Sequence, residues 1–510
     1  MLDMLKMEAN RTYTENGAVS NRSTFSDCLD LFGTVGGLRH AGEEMILDRF
    51  VRAFAEDRDL AVKILFFARD IREGLGERRV FRVILQFLAD YAPGTVRRNL
   101  GYIAEYGRYD DLLALMDTSC EMDALCLIKV QLEADIEAVK KRKAEVGKAA
   151  GKAEKAESIS LLAKWLPSVN TSDKAQCARG KRIAAFCGMR ESEYRKVLSA
   201  LRRELRILEN YLREKDYSFD YGKQPSRAVY KYRAAFLRND GERFEAFLRS
   251  VEKGEAKLHA DNVYPYELVD PFLGGQFWRG GCGFMKALSE EEKRVLNATW
   301  NAMPDFGNGE NALAVVDTSG SMYNGMQPQP ASVALSLGLY FAEHNRGRFA
   351  NHFIEFSMHP RLIELKGETF ADRLAYAASF CEVANTNIEA VFRLVLDTAV
   401  KYRVPREEMP AKLVIISDME FDCCTEHAEL SNFENAKRLY EEAGYALPQL
   451  VFWNVASRRK QLPVTMHETG TALVSGCTPR LFSMVAGDLM DPYALMMEIL
   501  GGERYEKIAA

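Results

Sequence analysis

At 510 residues, with 47% hydrophobic and 28% charged side chains, the chain has the composition of an ordinary globular protein with room for two large domains or three of usual size. A formal net charge of −5 excludes neither nucleic-acid nor protein partners, because only local charge matters to them. The ten cysteines form no C-x-x-C pair, which excludes a zinc knuckle or dithiol motif and fits reduced thiols in a cytoplasmic protein; with no signal-peptide core and no apolar run near the ~18–20 residues that span a bilayer, no membrane partner is expected.

Residues 1–24 are polar, rich in Asn, Thr and Ser, and read as an extended arm. From Phe25 to about Met303 the pattern predicts helices almost throughout. Leu47, Phe50, Val51 and Phe54 follow an i, i+3, i+4, i+7 stripe; Leu60, Ile64 and Phe67 mark a second helix, and Val80, Ile84, Phe87 and Leu88 a third. Helices of roughly 12–16 residues joined by short turns suggest a HEAT-like repeat, although no clean internal repeat is visible. Residues 140–158 are lysine-rich without an apolar stripe and predict a mobile basic loop or a frayed helix end.

Between 161 and 240 the chain turns basic, with 18 Lys and Arg against 9 Asp and Glu. Val197, Leu201, Leu205, Leu208 and Leu212 line one face of a single predicted helix, while Arg195, Arg202, Arg206 and Arg213 fall into a separate stripe with Lys196 and Arg203 beside it. Arg227 and Lys231 lie further on, among aromatics. Such a ridge suits phosphates, and an ordinary solvated helix face has the same look. Residues 267–283, dense in glycine and proline, read as a loop; 290–300 is a further helix, and 304–309 is a linker.

Beyond Asn311 strands alternate with helices, the pattern of a doubly wound sheet. Largely apolar runs at 312–316, 412–417 and 449–455 predict buried parallel strands, 471–475 a short further one, and 353–356 with 361–365 a hairpin. The first run ends in Asp317-Thr318-Ser319-Gly320-Ser321 and the second in Asp418-Met419-Glu420-Phe421-Asp422; Thr386 opens a helix between them. Carboxylates and hydroxyls leaving the carboxyl ends of core strands sit where open α/β sheets bind ligands. Asp317, Ser319, Ser321, Thr386 and Asp418 are hard oxygen donors, the set that suits Mg²⁺ or another divalent cation such as Mn²⁺ or Ca²⁺. Spacing leaves open which of Asp418, Glu420 and Asp422 faces the cation.

This arrangement resembles a von Willebrand factor A domain with a metal-ion-dependent adhesion site, whose Asp-x-Ser-x-Ser motif with distal Thr and Asp is matched by those five residues. The resemblance implies that the hydroxyls bind the cation directly or through water and leave a coordination place for a partner's carboxylate. The helical half, on residues 65–78 (LFFARDIREGLGER), looks like the TROVE module of the Ro ribonucleoprotein family. Residues 164–168, 225–227, 417–422, 452–455 and 472–476 look like an uncharacterised TROVE-like branch of it.

The fold class expected is therefore α + α/β. A polar arm at 1–24 precedes a TROVE-like HEAT-type helical repeat at 25–305, with ring closure as in Ro proteins left open, and an A-type domain at 306–510. What the resemblance implies is a non-enzymatic scaffold for small structured or single-stranded RNA, with no DNA partner. No Ro residue that contacts RNA can be matched onto this chain. The alternative is a metal-dependent protein-interaction module whose partner supplies a carboxylate. An enzyme using Mg²⁺ for phosphoryl transfer is the third reading; against it, no Lys or His of obvious role accompanies the aspartates, and no phosphate-binding glycine motif occurs.

Overall fold

The computed structural model describes residues 1–146, 159–260, 263–273, 288–307, 309–323, 325–424, 427–488 and 491–510. The chain is helical in its amino-terminal half and carries a mostly parallel sheet in its carboxyl-terminal half, an α + α/β architecture. It forms two compact units, one of residues 1–80 with 225–507, the other of 81–224 with 508–510. None of the described helices is long and apolar enough to cross a membrane.

The first unit is built on the sheet. Strands β1 (Arg11–Tyr13) and β2 (Val19–Asn21) form an antiparallel hairpin. Strands β3 (Ala312–Asp317), β4 (His352–Phe356), β5 (Arg361–Glu364), β6 (Lys412–Ser417), β7 (Gln449–Asn454) and β8 (Thr471–Ser475) form a six-stranded sheet in the order β5-β4-β3-β6-β7-β8. All its pairings are parallel except β4 with β5, the expected hairpin at the edge. Every residue of β3 and β6 is buried, which is why their sequences are apolar apart from Lys412 at the start of β6 and the terminal Asp317 and Ser417. In the β3–β6 register Val316 faces Ile416, so Asp317 and Ser417 leave the sheet side by side.

Two glycines set how closely helices approach this sheet. A Cβ on Gly338, in helix Pro330–His344, would lie 2.2 Å from Val316 Cγ2 on β3. A Cβ on Gly36, just past helix Asp27–Thr34, would lie 2.4 Å from the Ser475 carbonyl oxygen at the end of β8, and the Gly36 N–H donates to Ser475 Oγ at 2.9 Å. The glycines after Gly33 thus serve close packing.

Three expectations need correction in this unit. The amino-terminal residues are not an extended arm: Leu2–Asn10 is a helix, and the β1–β2 hairpin follows. Residues 265–273 are a helix, Pro265–Leu273, and not a loop; residues 274–283 of that predicted loop lie outside the described residues. The compact units also do not divide at residue 305. Helix Asp27–Thr34 packs on β8 and Pro265–Leu273 on Pro330–His344, so the first and last helical stretches share a core with the sheet.

The second unit is helical. Its longest helix, Glu121–Val146, has 26 residues and takes in the first part of the predicted basic loop; residues 147–158 lie outside the described residues. The basic stripe is not continuous. Helix Glu191–Glu204 ends, Arg206 takes a left-handed conformation at φ 48°, and a new helix runs Leu208–Glu214. The break ends the helical phase that joined Arg195 to Arg213 in the sequence pattern.

Candidate metal centre and basic surface

Four loops of the first unit meet at the carboxyl edge of the sheet. The Thr318 N–H donates to the Phe356 carbonyl at 3.0 Å, and the Asn387 N–H to the Ser357 carbonyl at 3.1 Å. The Gly320 N–H donates to Ala384 at 3.0 Å, and the Asp422 N–H to the Thr386 carbonyl at 2.8 Å. These main-chain bonds tie together the loops that carry Asp317, Ser319, Ser321, Thr386 and Asp418. Asp317, Ser319, Thr386 and Asp418 are at most 2% exposed, and Ser321 is half-buried.

The side chains are linked. The Ser319 N–H donates to Asp317 Oδ1 at 2.8 Å and Ser417 Oγ donates to Asp317 Oδ2 at 2.5 Å. The Ser319 and Ser321 hydroxyls lie 3.2 Å apart, and Ser321 bonds Asp418. Burial, then the charge of Asp418, pushes the Asp317 carboxyl up to about 7. Burial also raises Asp418, opposed by Arg458. Glu355, Glu420 and Asp422 nearby are raised by burial in the same way.

Two buried carboxylates with hydroxyls around them fit a hard divalent cation, since a positive charge would offset the burial that raises both acids and the repulsion that adds to it at Asp317. The acidic surroundings disfavour a phosphate at this edge. Among the described residues no group of three or more His, Cys, Asp or Glu is arranged to hold a metal, so the donor set rests on hydroxyls as well as acids. The spacing question is also narrowed: Glu420 is taken up by the Gln461 amide at 2.6 Å and the Glu15 N–H at 2.7 Å, whereas Asp418 is the acid joined to Ser321.

The residues that sequence reasoning missed come from the amino-terminal hairpin and from the segment after β7. Thr14 Oγ1 donates to the Phe421 carbonyl at 2.6 Å and the Asn16 amide to the Glu420 carbonyl at 2.6 Å. Gly17 pairs with Asp422, Val19 with Ser431 and Asn21 with Leu462. Arg458 joins the two parts: its Nη1 is 2.8 Å from Glu15, and its Nε and Nη2 are 3.1 Å from Asp418 Oδ2. The legible signal was Asn16-Gly17, a hairpin-turn dipeptide, with Gly17 at φ 86°.

The eight basic candidates are divided between the two units. Arg195, Lys196, Arg203, Arg206 and Arg213 are exposed in the second unit. Arg202 is half-buried and spent on the fold: it donates to the Ala163 carbonyl at 2.8 Å, the Leu166 carbonyl at 2.7 Å and Ser168 Oγ at 2.9 Å. Arg202→Ala is expected to cost ~1–3 kcal/mol of stability by orphaning those acceptors, readable in a urea denaturation curve. Arg227 and Lys231 belong to the first unit, where Arg227 pairs with Glu267 and Lys231 lies 4.8 Å from the Tyr232 ring centroid.

Two family models match the chain. One, described as a domain of unknown function (DUF2828), covers residues 14–148 and 174–305, just over half of the chain; the other, a domain of unknown function (DUF7788), covers residues 311–491. The chain is similar to "Uncharacterized protein L728" of Acanthamoeba polyphaga mimivirus, 28% identical over 96% of this chain and 87% of that one. Among solved structures it is similar to the crystal structure of the Deinococcus radiodurans Ro (RSR) protein, 15% identical over 94% of this chain and all of that one. The TM-score of that pair is 0.32, too low to equate the two folds.

Proposed function

The chain belongs to the DUF2828 family, a domain of unknown function, and we propose from its geometry that it is a non-enzymatic RNA-binding scaffold carrying a divalent-cation adhesion site of the von Willebrand factor A kind. The observation that carries this reading is the segregation of charge. Buried acids and hydroxyls gather at one sheet edge of the first unit, while exposed bases gather on the helices Glu191–Glu204 and Leu208–Glu214 of the second. The strand order, with its antiparallel edge at β5, and the Asp317-Ser319-Ser321 turn support the A-domain part.

Asp317, Ser319, Ser321, Thr386 and Asp418 would hold the cation, which supplies a coordination place for a carboxylate from a protein partner. The partners of the two aspartates support binding over catalysis: among the described residues they are hydroxyls, main-chain N–H groups and one guanidinium, with no His, Lys or Cys placed to carry a proton. RNA helices are held largely by shape and phosphate contacts, so Arg195, Lys196, Arg203, Arg206 and Arg213 would act without a sequence motif.

The test is RNA affinity across a salt series. Replacing Arg195, Lys196, Arg203 and Arg213 together by alanine is expected to weaken binding and to lower the slope of log K against log salt by about 0.7–0.9 for each phosphate no longer neutralised. An unchanged slope would remove these residues from the interface. A protein-interaction role without RNA is the second reading, favoured by the cation site's own geometry. It predicts a stoichiometric acidic partner and a low 260/280 nm absorbance ratio in the isolated chain.

A further inference from the structure

The second unit carries a cavity of about 320 Å³, open to solvent and bordered by Arg82, Gln86, Asp110, Trp165, Gln176 and Arg179. Leu113 and Ala114, both buried, form an apolar part of its wall. The volume falls at the lower end of small-molecule sites, which run from ~300 to 1,000 Å³. Its polar groups differ in how they are engaged. Arg82 is fixed by two acids: its Nε donates to Asp111 Oδ1 and its Nη2 forms an ion pair with Asp110 Oδ2, each at 2.7 Å. Gln86, Gln176 and Arg179 have no side-chain partner among the described residues. Gln176 and Arg179 sit three apart on helix Lys174–Phe186 and so share a face; Gln86 comes from helix Arg78–Tyr91. The Trp165 ring is flanked by cations, with the Arg108 guanidinium 4.7 Å and the Lys164 ammonium 5.5 Å from its centroid.

An aromatic wall, two amides and a nearby guanidinium match a ligand that is planar, edged with donors and acceptors, and anionic. Unstacked bases are held in this way, by stacking on an aromatic ring and hydrogen bonds to the base edge. We infer that this cavity binds one nucleotide. Trp165 forms the wall beside the base, Gln86 and Gln176 bond its edge, and Arg179 meets the phosphate. Where the nucleotide is part of a chain, the inference rests on the RNA reading above; a free mononucleotide presents the same chemistry and does not need it.

The experiment uses the full chain, a labelled short single-stranded oligoribonucleotide followed by fluorescence anisotropy, and AMP and UMP as separate ligands. Gln86→Ala with Gln176→Ala is expected to weaken the oligoribonucleotide about tenfold or more while leaving the salt slope unchanged, since no charge is removed. Arg179→Ala is expected to lower the slope. Trp165→Phe keeps an aromatic wall and is expected to bind within about twofold of the parent, with Trp165→Leu weaker by about tenfold. Unchanged affinity in the double variant overturns the cavity assignment even if the parent binds RNA well. Parent protein that ignores the oligoribonucleotide but binds AMP or UMP, with loss in the double variant, supports the cavity and overturns the RNA reading. Binding of neither ligand by the parent overturns both.

Discussion

Asp317→Asn is expected to abolish stabilisation of the chain by Mg²⁺ or Mn²⁺ while leaving the cation-free protein as stable as its parent, or more so. The asparagine oxygen still accepts from the Ser319 N–H, which bonds Asp317 Oδ1 at 2.8 Å, and the amide NH2 that replaces Oδ2 donates to Ser417 Oγ, which lies 2.5 Å from that atom in the parent. What disappears is one of two buried, mutually repelling carboxylates, whose burial opposes folding in the absence of a counter-charge. A cation at a hundredfold excess over its Kd adds about 2.7 kcal/mol to the parent and nothing to a variant that cannot bind it. Thermal melts with and without cation read this directly. An equal shift in parent and variant would move the cation away from Asp317.

Removal of residues 1–24 is expected to be the most damaging truncation at the amino terminus, although the stretch is polar and looks dispensable. It removes the bonds from Thr14, Glu15 and Asn16 to residues 420 and 421, the Glu15–Arg458 pair, and the bridges from Gly17, Val19 and Asn21. At ~1 kcal/mol for each net hydrogen bond and somewhat more for charged ones, the loss is on the order of 5 kcal/mol. Glu420, buried in the full chain, would keep only its bond to Gln461 among those given by side chains. The loop that carries Asp418 then loses its outer support, so urea stability and cation affinity should fall together. Glu15→Ala is the milder form: it frees one side of Arg458, and a small loss of both quantities is expected. Full stability in the truncated chain would mean that the hairpin is an ornament of the sheet edge.

The sheet and the polar turns that end its central strands were legible because each depends on local pattern. β3 and β6 are buried at every residue, so their apolar runs are continuous, and the polar residues that end them stand out. What was not legible depends on distant partners. Arg458 lies among Arg459 and Lys460 and looks like surface charge; only the fold places it between Glu15 and Asp418. The hairpin at 11–21 was written in Asn16-Gly17, but strands of three residues carry too little periodicity to compete with a polar composition. Arg206 failed for the opposite reason. Its neighbourhood fits a helix, and packing imposed a left-handed residue where neither glycine nor asparagine marks one. Arg202 had the right phase for a cationic ridge, yet its guanidinium is claimed by carbonyls nearly forty residues upstream. The boundary near residue 305 marks a true change of pattern, from helices to alternating elements. It does not mark a boundary of packing, because helices from both ends of the helical half join the sheet.

Crosslinking of the full chain to RNA in cells, followed by sequencing of what is recovered, tests the RNA-scaffold reading most directly. RNA is expected in the parent sample, with a large loss when Arg195, Lys196, Arg203 and Arg213 are replaced together and no loss for Asp317→Asn. An empty parent sample, or equal recovery from the quadruple variant, would contradict it.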